Sequence, residues 1–233
     1  MFIRDISRVV QAVKKKFQFK KVGHLGTLDP MATGLLILAI NRGTKFSSLL
    51  LESHKTYGAE VTLGIQTDTD DAEGEHILSK VITCSDEEVR RKLLSFLGSS
   101  MQQPPIYSAL KVQGKPMYKY AREGIKVEKA ARAIEIKTIE NISINLPKIS
   151  FEVSCSKGTY IRSIARDLGE LLDCGGHLSA LKRLTQQEFL VKDAKKIDEI
   201  TELDIIPLEQ AFNHLRSVNL PEEKLKKFIN GSA

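Results

Sequence analysis

Asp29 stands in a run that spends its other key positions on backbone control, with Gly23, Gly26, Pro30 and Gly34 around it. Proline fixes its own φ and drives the preceding residue out of the helical region. An aspartate in front of Pro30 is therefore held in a turn, and a held carboxylate can attack an electrophilic carbon or take up a proton. Residue type alone leaves a second reading open, because Asp-Pro also opens ordinary turns. His24, on the same loop, is open between a working imidazole and surface duty. Tyr57 falls in an alternating apolar run, where an inward-facing aromatic is most often core. Arg162 and Arg166 lie one helical turn apart at the start of a helical pattern, a placement that suits a carboxylate partner or plain solvent.

The acids from Asp68 to Glu75 raise the question of a cation. Their glycine and distal glutamate are misplaced for an EF-hand loop, and no other ligand spacing supports a metal, so none is expected. Cys84, Cys155 and Cys174 are odd in number and widely spaced, which argues against both a disulfide framework and a zinc site. All three read as reduced, packed thiols.

The elements that must position these residues follow from periodicity. Ile6, Val9, Val10, Val13 and Phe17 mark a helix, with Asp5 or Ser7 available as cap and the lysines facing outward. Leu35 to Ile40 reads as a buried strand, and Thr44 as the cap of a helix running through Leu50. Tyr57, Ala59, Val61 and Leu63 alternate as one face of a strand, as do Phe151, Val153 and Cys155 before Gly158. Ile161, Ile164, Ala165, Leu168, Leu171 and Leu172 then mark a helix ending near Gly175 and Gly176. Strands and helices mix throughout the 233 residues, which predicts one α/β layered core.

Composition, 42% hydrophobic and 27% charged, is that of an ordinary globule. The longest apolar run, Leu35 to Ile40, is too short to span a bilayer, and no signal peptide opens the chain, so a cytoplasmic protein is expected. The net charge of +6 is unevenly spread. Between Ile6 and Leu28 the chain carries Arg8, Lys14, Lys15, Lys16, Lys20 and Lys21 without an acid. Between Pro105 and Ala133 it carries Lys111, Lys115, Lys119, Arg122, Lys126, Lys129 and Arg132 against Glu123 and Glu128, with Tyr107, Tyr118 and Tyr120 interleaved. Phosphate neutralisation and base stacking use that mixture, and together the two stretches point to nucleic acid.

Gly23-His24-Leu25-Gly26-Thr27-Leu28-Asp29-Pro30-Met31-Ala32-Thr33-Gly34 resembles the catalytic motif of the TruB family of tRNA pseudouridine synthases. In the same order, Ser53 to Ala59, Leu63 to Gly74, Pro104 to Lys111, Ser154 to Gly169 and Gly175 to Leu184 are similar to further family segments. The resemblance implies the pseudouridine synthase fold, an α+β arrangement with a central mixed, largely antiparallel sheet, flanking helices and an active-site cleft. It implies that the C1′–N1 bond of a uridine is broken, the uracil turned, and the base rejoined through C5, with the base out of its stack and no cofactor. Asp29 takes the family's catalytic position, and Tyr57 that of the tyrosine that stacks on the uracil and is the candidate C5 base. Arg162 matches the arginine that pairs with the aspartate, which would keep the carboxylate ionised and directed. His24 matches the histidine pushed into the RNA where the base has left, Tyr160 lines the pocket, and Leu181 packs against the uracil.

The stretch from 105 to 133 is similar to the family's insertion over the T-arm of tRNA, with Lys111, Lys115 and Lys119 as contacts. The resemblance thus implies a tRNA substrate, modified in the T loop at the family's position 55, and a monomer with no obligate protein partner. It assigns residues 1–220 to the catalytic domain and 221–233 to a remnant of the linker to a PUA domain. Relative to the family, the chain is expected to lack the first strand and its Lys-Pro motif, which would expose a sheet edge and loosen the surroundings of Tyr57. The alternative is a non-catalytic protein that binds tRNA or assists its folding.

Overall fold

A computed structural model describes residues 6–231 except 126 and 128, with Arg122 described by its backbone only. The capping role of Asp5 and the charges of Arg122, Lys126 and Glu128 lie outside the described residues. The chain divides into two units, Met1–Ile197 and Asp198–Ala233.

The first unit opens with helix α1 (Ile6–Lys16), which buries Val9 and Val13 and gathers Lys14, Lys15 and Lys16 in its last turn, where cations suit the helix dipole. Ser7 lies inside this helix and is not its cap. Strands β1 (Val22–His24), β2 (Thr33–Gly34) and β3 (Leu38–Ile40) follow. Leu35 to Ile40 is therefore not one buried strand. β2 pairs in parallel with a later strand of the main sheet while β3 pairs antiparallel with β1, and the two allegiances break the run. A 3-10 turn over Asn41–Phe46 leads into α2 (Ser47–Leu51). Thr44 sits within that turn, its hydroxyl donating to the Asn41 carbonyl at 2.8 Å, and is not a helix cap.

Next come β4 (Lys55–Leu63), β5 (Ile65–Thr67), β6 (His76–Ser79), α3 (Asp86–Leu94) and β7 (Gly98–Gln102). The basic stretch forms a small hairpin, β8 (Lys111–Val112) and β9 (Lys115–Pro116), and helix α4 (Met117–Arg122). Strands β10 (Arg132–Asn145) and β11 (Lys148–Cys155), helix α5 (Ile161–Leu171), and strands β12 (Gly176–Gln186) and β13 (Phe189–Leu190) complete the unit. The main sheet has seven strands in the order β13-β12-β4-β11-β10-β7, with β2 alongside β12. Every pairing in it is antiparallel except β2 with β12.

One face of this sheet holds the core. Val61, Ile149, Val153 and Leu178 from the strands and Ile164 and Leu168 from α5 are fully buried, and Val89 and Leu93 of α3 join them. Each such side chain contributes roughly 1.5–3 kcal/mol of burial. The turn from α5 into β12 is tight: a Cβ on Gly169 would lie 2.2 Å from backbone atoms of Gly175 and Gly176, so no larger residue fits. The three cysteines are free, with Cys155 and Cys174 buried.

The described part of the second unit includes the helices α6 (Leu208–Ala211) and α7 (Glu222–Ile229), the latter with Leu225, Phe228 and Ile229 exposed. Among the described residues no helix is long and apolar enough to cross a membrane.

Candidate active site

The loop from Leu25 to Leu35 carries Asp29 and is pinned at both ends. Leu25, Leu28, Ala32 and Leu35 are buried. The Ala32 amide donates to the Asp29 carbonyl at 2.9 Å, closing a β-turn with Pro30 at the position where its fixed φ fits best. The Leu25 amide donates to the Ile37 carbonyl and the Leu35 amide to the Arg183 carbonyl, both at 2.9 Å. From β12, Arg183 Nε donates to the Leu35 carbonyl at 2.7 Å and Nη2 to the Gly26 carbonyl at 3.3 Å. Gln186 Nε2 donates to the carbonyls of Leu25 and Leu50 at 2.9 Å each.

On this frame Asp29 meets Arg162. Arg162 Nε donates to Asp29 Oδ2 and Nη2 to Oδ1, each at 3.0 Å, a bidentate pair of the strong charge-assisted kind. Arg162 projects from the first turn of α5 and is itself held from behind: Nη1 donates to the Thr69 carbonyl at 3.2 Å and lies 3.6 Å from Asp71 Oδ2. The side chains of Arg162 and Asp71 are each 6% exposed and that of Asp29 26%, so the carboxylate fronts the solvent and its partners stand behind it.

A second ion cluster adjoins the first. Arg166 Nη1 lies 3.1 Å from Asp70 Oδ2 and Nε 2.9 Å from Asp167 Oδ1. Asp70 takes the left-handed conformation, φ 61°. Burial pushes its carboxyl up to about 6, while Arg166 and then Arg162 pull it back. Asp68, Asp70 and Asp71 of the β5–β6 loop are thus engaged by arginines or by the loop itself. Asp71 Oδ1 accepts from Thr69 Oγ1 at 2.6 Å and from the Glu73 amide at 3.0 Å, and Asp68 Oδ1 from the Glu75 amide at 2.8 Å.

Tyr57 is half-buried on the core face of β4, opposite Arg183 of β12, and the next pair along the same face is Ala59 with Leu181. Burial pushes the Tyr57 hydroxyl up to about 12; Arg183 opposes this and the Asp29 charge adds to it. Leu181 is buried in the core cluster with Leu28 and Ala32, and Tyr57 and Met31 pack against that cluster. Tyr160 precedes α5: its amide donates to Gln102 Oε1 at 2.8 Å, its carbonyl accepts from Gln102 Nε2 at 3.0 Å, and the Arg132 guanidinium lies over its ring at 4.7 Å. His24 is exposed at the end of β1. Lys111 and Lys119 are exposed on the basic hairpin and α4, whereas Lys115 pairs with Glu123 and lies over the Tyr120 ring. The structure therefore brings Asp29, Arg162, Tyr57 and Leu181 into one neighbourhood and leaves His24 and the lysines at the surface.

The profile described as "TruB family pseudouridylate synthase (N terminal domain)" matches residues 14–161. The chain belongs to the TruB family. Among its TruB relatives are proteins named tRNA pseudouridine synthase B from Alkaliphilus oremlandii, 42% identical over 96% of this chain and 77% of the relative, and from Aromatoleum aromaticum, 44% identical over 95% and 73%. A crystal structure of a Cbf5-Nop10-Gar1 complex is similar with TM-score 0.60 and 28% identity, over 79% of this chain and 46% of the other. A structure of an H/ACA RNP bound to a substrate RNA containing 2'-deoxyuridine shares the fold, with TM-score 0.64 at 24% identity over 90% of this chain and 57% of the other. The TruB chain thus spans about half the length of the solved chains it matches. Its mixed, mainly antiparallel sheet with flanking helices is the pseudouridine synthase fold expected from the resemblance.

Three residues at the site escaped the sequence reading. Asp71 was visible only as one of several loop acids, and its side with Arg162 is fixed by the left-handed turn at Asp70 next to it. Arg183 and Gln186 lie in or beside the segment containing Leu181; three positions apart, they would alternate to opposite faces of a regular strand, and the register shift between Arg183 and Thr185 is what buries both.

Proposed function

We propose that this chain is the enzyme its family membership describes, one that makes pseudouridine in tRNA, and that its target is the uridine at position 55 of the T loop. The observation that carries the reading is the bidentate Asp29–Arg162 pair at the front of a buried ion cluster. Isomerisation needs a carboxylate of fixed direction at the ribose, for attack on C1′ or removal of a sugar proton, and both routes ask the same of Asp29. Once the C1′–N1 bond has broken and C5 has joined C1′, the C5 proton leaves and N1 takes one up, so the product has the atoms of the substrate. Tyr57 is assigned to the uracil face and to that C5 proton, with Leu181 packing the base and Tyr160 lining the pocket. His24, exposed on the neighbouring strand, fills the gap left by the flipped base.

The catalytic domain is assigned to residues 1–220, which take in the first unit, where all the assigned site residues lie, and the start of the second, with the insertion at 105–133 on the T-arm through Lys111, Lys115 and Lys119. The enzyme acts as a monomer in the cytoplasm and without a cofactor. The test is to incubate the chain and its Asp29→Asn variant with unmodified tRNA transcript and map pseudouridine by carbodiimide-dependent reverse-transcription stops. One new stop in the T loop with the parent chain, absent with the variant, is expected. Bound tRNA with no stop from either protein points instead to a non-catalytic tRNA-binding protein.

A further inference from the structure

Arg183 is the largest fully buried side chain of the described residues, and no carboxylate among them pairs with it. An unpaired buried cation is costly, and the fold retains it. Two of its nitrogens are spent on the Leu35 and Gly26 carbonyls, at opposite ends of the loop that carries Asp29, while Nη1 has no hydrogen-bond partner. The backbone joins in: Leu35 donates to the Arg183 carbonyl, and a Cβ on Gly34 would lie 2.3 Å from that same oxygen. In the register of β4 and β12, Arg183 is the direct partner of Tyr57, so both side chains rise from the same face.

We infer that Arg183 is a positioning residue for the second half of the reaction, orienting the Tyr57 hydroxyl toward the C5 proton while fastening the Asp29 loop to the same strand. This rests on the role proposed for Tyr57. A neutral clamp would hold the loop equally well; only a cation also favours a phenolate next to it. Against the burial that raises the Tyr57 hydroxyl, Arg183 is the strongest opposing group. In the step concerned the Tyr57 hydroxyl gives its own proton through solvent to N1, the phenolate oxygen so formed takes the C5 proton, and the C5–H electron pair returns to the uracil ring.

The test uses the full chain and T-arm RNA carrying the target uridine with protium or deuterium at C5, under single-turnover conditions. Arg183→Gln and Arg183→Met remove the charge, the first keeping an amide donor for the loop. Gln186→Leu loosens the same loop without touching Tyr57. All are read below the lowest melting temperature of the set. The Arg183 variants are expected to slow the reaction roughly 10²-fold at unchanged RNA affinity, the scale of one acid–base contribution. Their protium-to-deuterium rate ratio rises above that of the parent chain, while Gln186→Leu slows both RNAs alike. An Arg183 variant with the isotope ratio of Gln186→Leu, or with the parent's rate, overturns the inference. Tyr57→Phe separates the two claims: if its residual reaction shows no raised ratio, the role of Tyr57 fails whatever Arg183 does.

Discussion

Replacing Arg162 by lysine keeps the charge and removes the fork. The guanidinium reaches both Asp29 oxygens at 3.0 Å, the Thr69 carbonyl at 3.2 Å and Asp71 at 3.6 Å from one rigid plane. A lysine ammonium is a point donor on a flexible stem and cannot satisfy both carboxylate oxygens and the groups behind it at once. It gives up at least one charge-assisted hydrogen bond, worth about 1.5–3 kcal/mol. If that bond holds Asp29 in the direction the transition state needs, the rate of pseudouridine formation falls roughly 10- to 150-fold. RNA affinity should hold, because Arg162 is 6% exposed and shielded by Asp29. The assay is release of tritium from 5-tritiated uridine in tRNA under single turnover, beside a filter-binding measurement of affinity and a thermal melt. A rate within about threefold of the parent chain, under 1 kcal/mol, would refute the positioning argument. So would a loss of affinity as large as the loss of rate, which would mean that Arg162 acts on RNA directly.

Asp70 gives stability a pH dependence: its carboxyl is raised from 3.8 to about 6, first by burial, against Arg166 and Arg162. The folded chain therefore holds the proton more tightly than the unfolded one, so the contribution is full below pH 3.8 and lost as pH rises through about 6. Its full size is about 3 kcal/mol, and urea unfolding of Asp70→Asn should gain most of that, roughly 2–2.5 kcal/mol, on the parent between pH 4 and pH 7; a constant difference rejects the assignment. Substituting Lys111 and Lys119 by alanine should lower the slope of log Kd against log salt for tRNA by roughly 1–2, as each phosphate contact contributes roughly 0.7–0.9. Lys115→Ala should lower it less, because that ammonium is already held by Glu123 and the Tyr120 ring. Gly34→Ala, at φ 99° and with its Cβ 2.3 Å from the Arg183 carbonyl, should lower the melting temperature by roughly 5–10 °C; an unchanged melt would show that β2 can leave β12 freely.

The sheet's central strand was legible because Tyr57, Ala59, Val61 and Leu63 alternate, and α5 because its apolar residues repeat at helical spacing and stop at the two glycines. These are local signals, read from neighbours in the chain. Leu35 to Ile40 misled for the same reason: apolar composition says buried, but not that residue 34 would join one strand and residue 38 another. Asp29 and Arg162 are separated by 133 positions, and no spacing rule connects them; motif resemblance paired them before the geometry did. Asp70 and Asp71 show the limit most clearly. They are adjacent and chemically identical, yet a left-handed residue sends one to Arg166 and the other to Arg162. Loop dihedrals of that kind are set by tertiary bonds, here the Leu178 amide donating to the Asp70 carbonyl at 3.0 Å.

The first turns of α5 serve two neighbours at once. Arg162 reaches forward to Asp29, while Ser163 Oγ and Arg166 Nη2 donate to the Gln103 carbonyl at 2.8 and 3.1 Å, and the Tyr160 backbone exchanges two hydrogen bonds with the Gln102 side-chain amide. Gln102 and Gln103 lead directly into the basic stretch, whose Tyr107 hydroxyl donates to Asp68 Oδ2 at 3.4 Å on the loop that also holds Asp71. The root of the basic stretch and the carboxylate thus hang from the same few residues of helix. Asp29, Asp70, Asp71 and Asp167 face Arg162, Arg166 and the buried Arg183, so the centre of the site has no positive excess with which to attract RNA phosphates. The lysines of α1 and of the basic stretch must supply that attraction, and the hydrogen bonds at Gln102 and Gln103 fix the second of these relative to the carboxylate it has to serve.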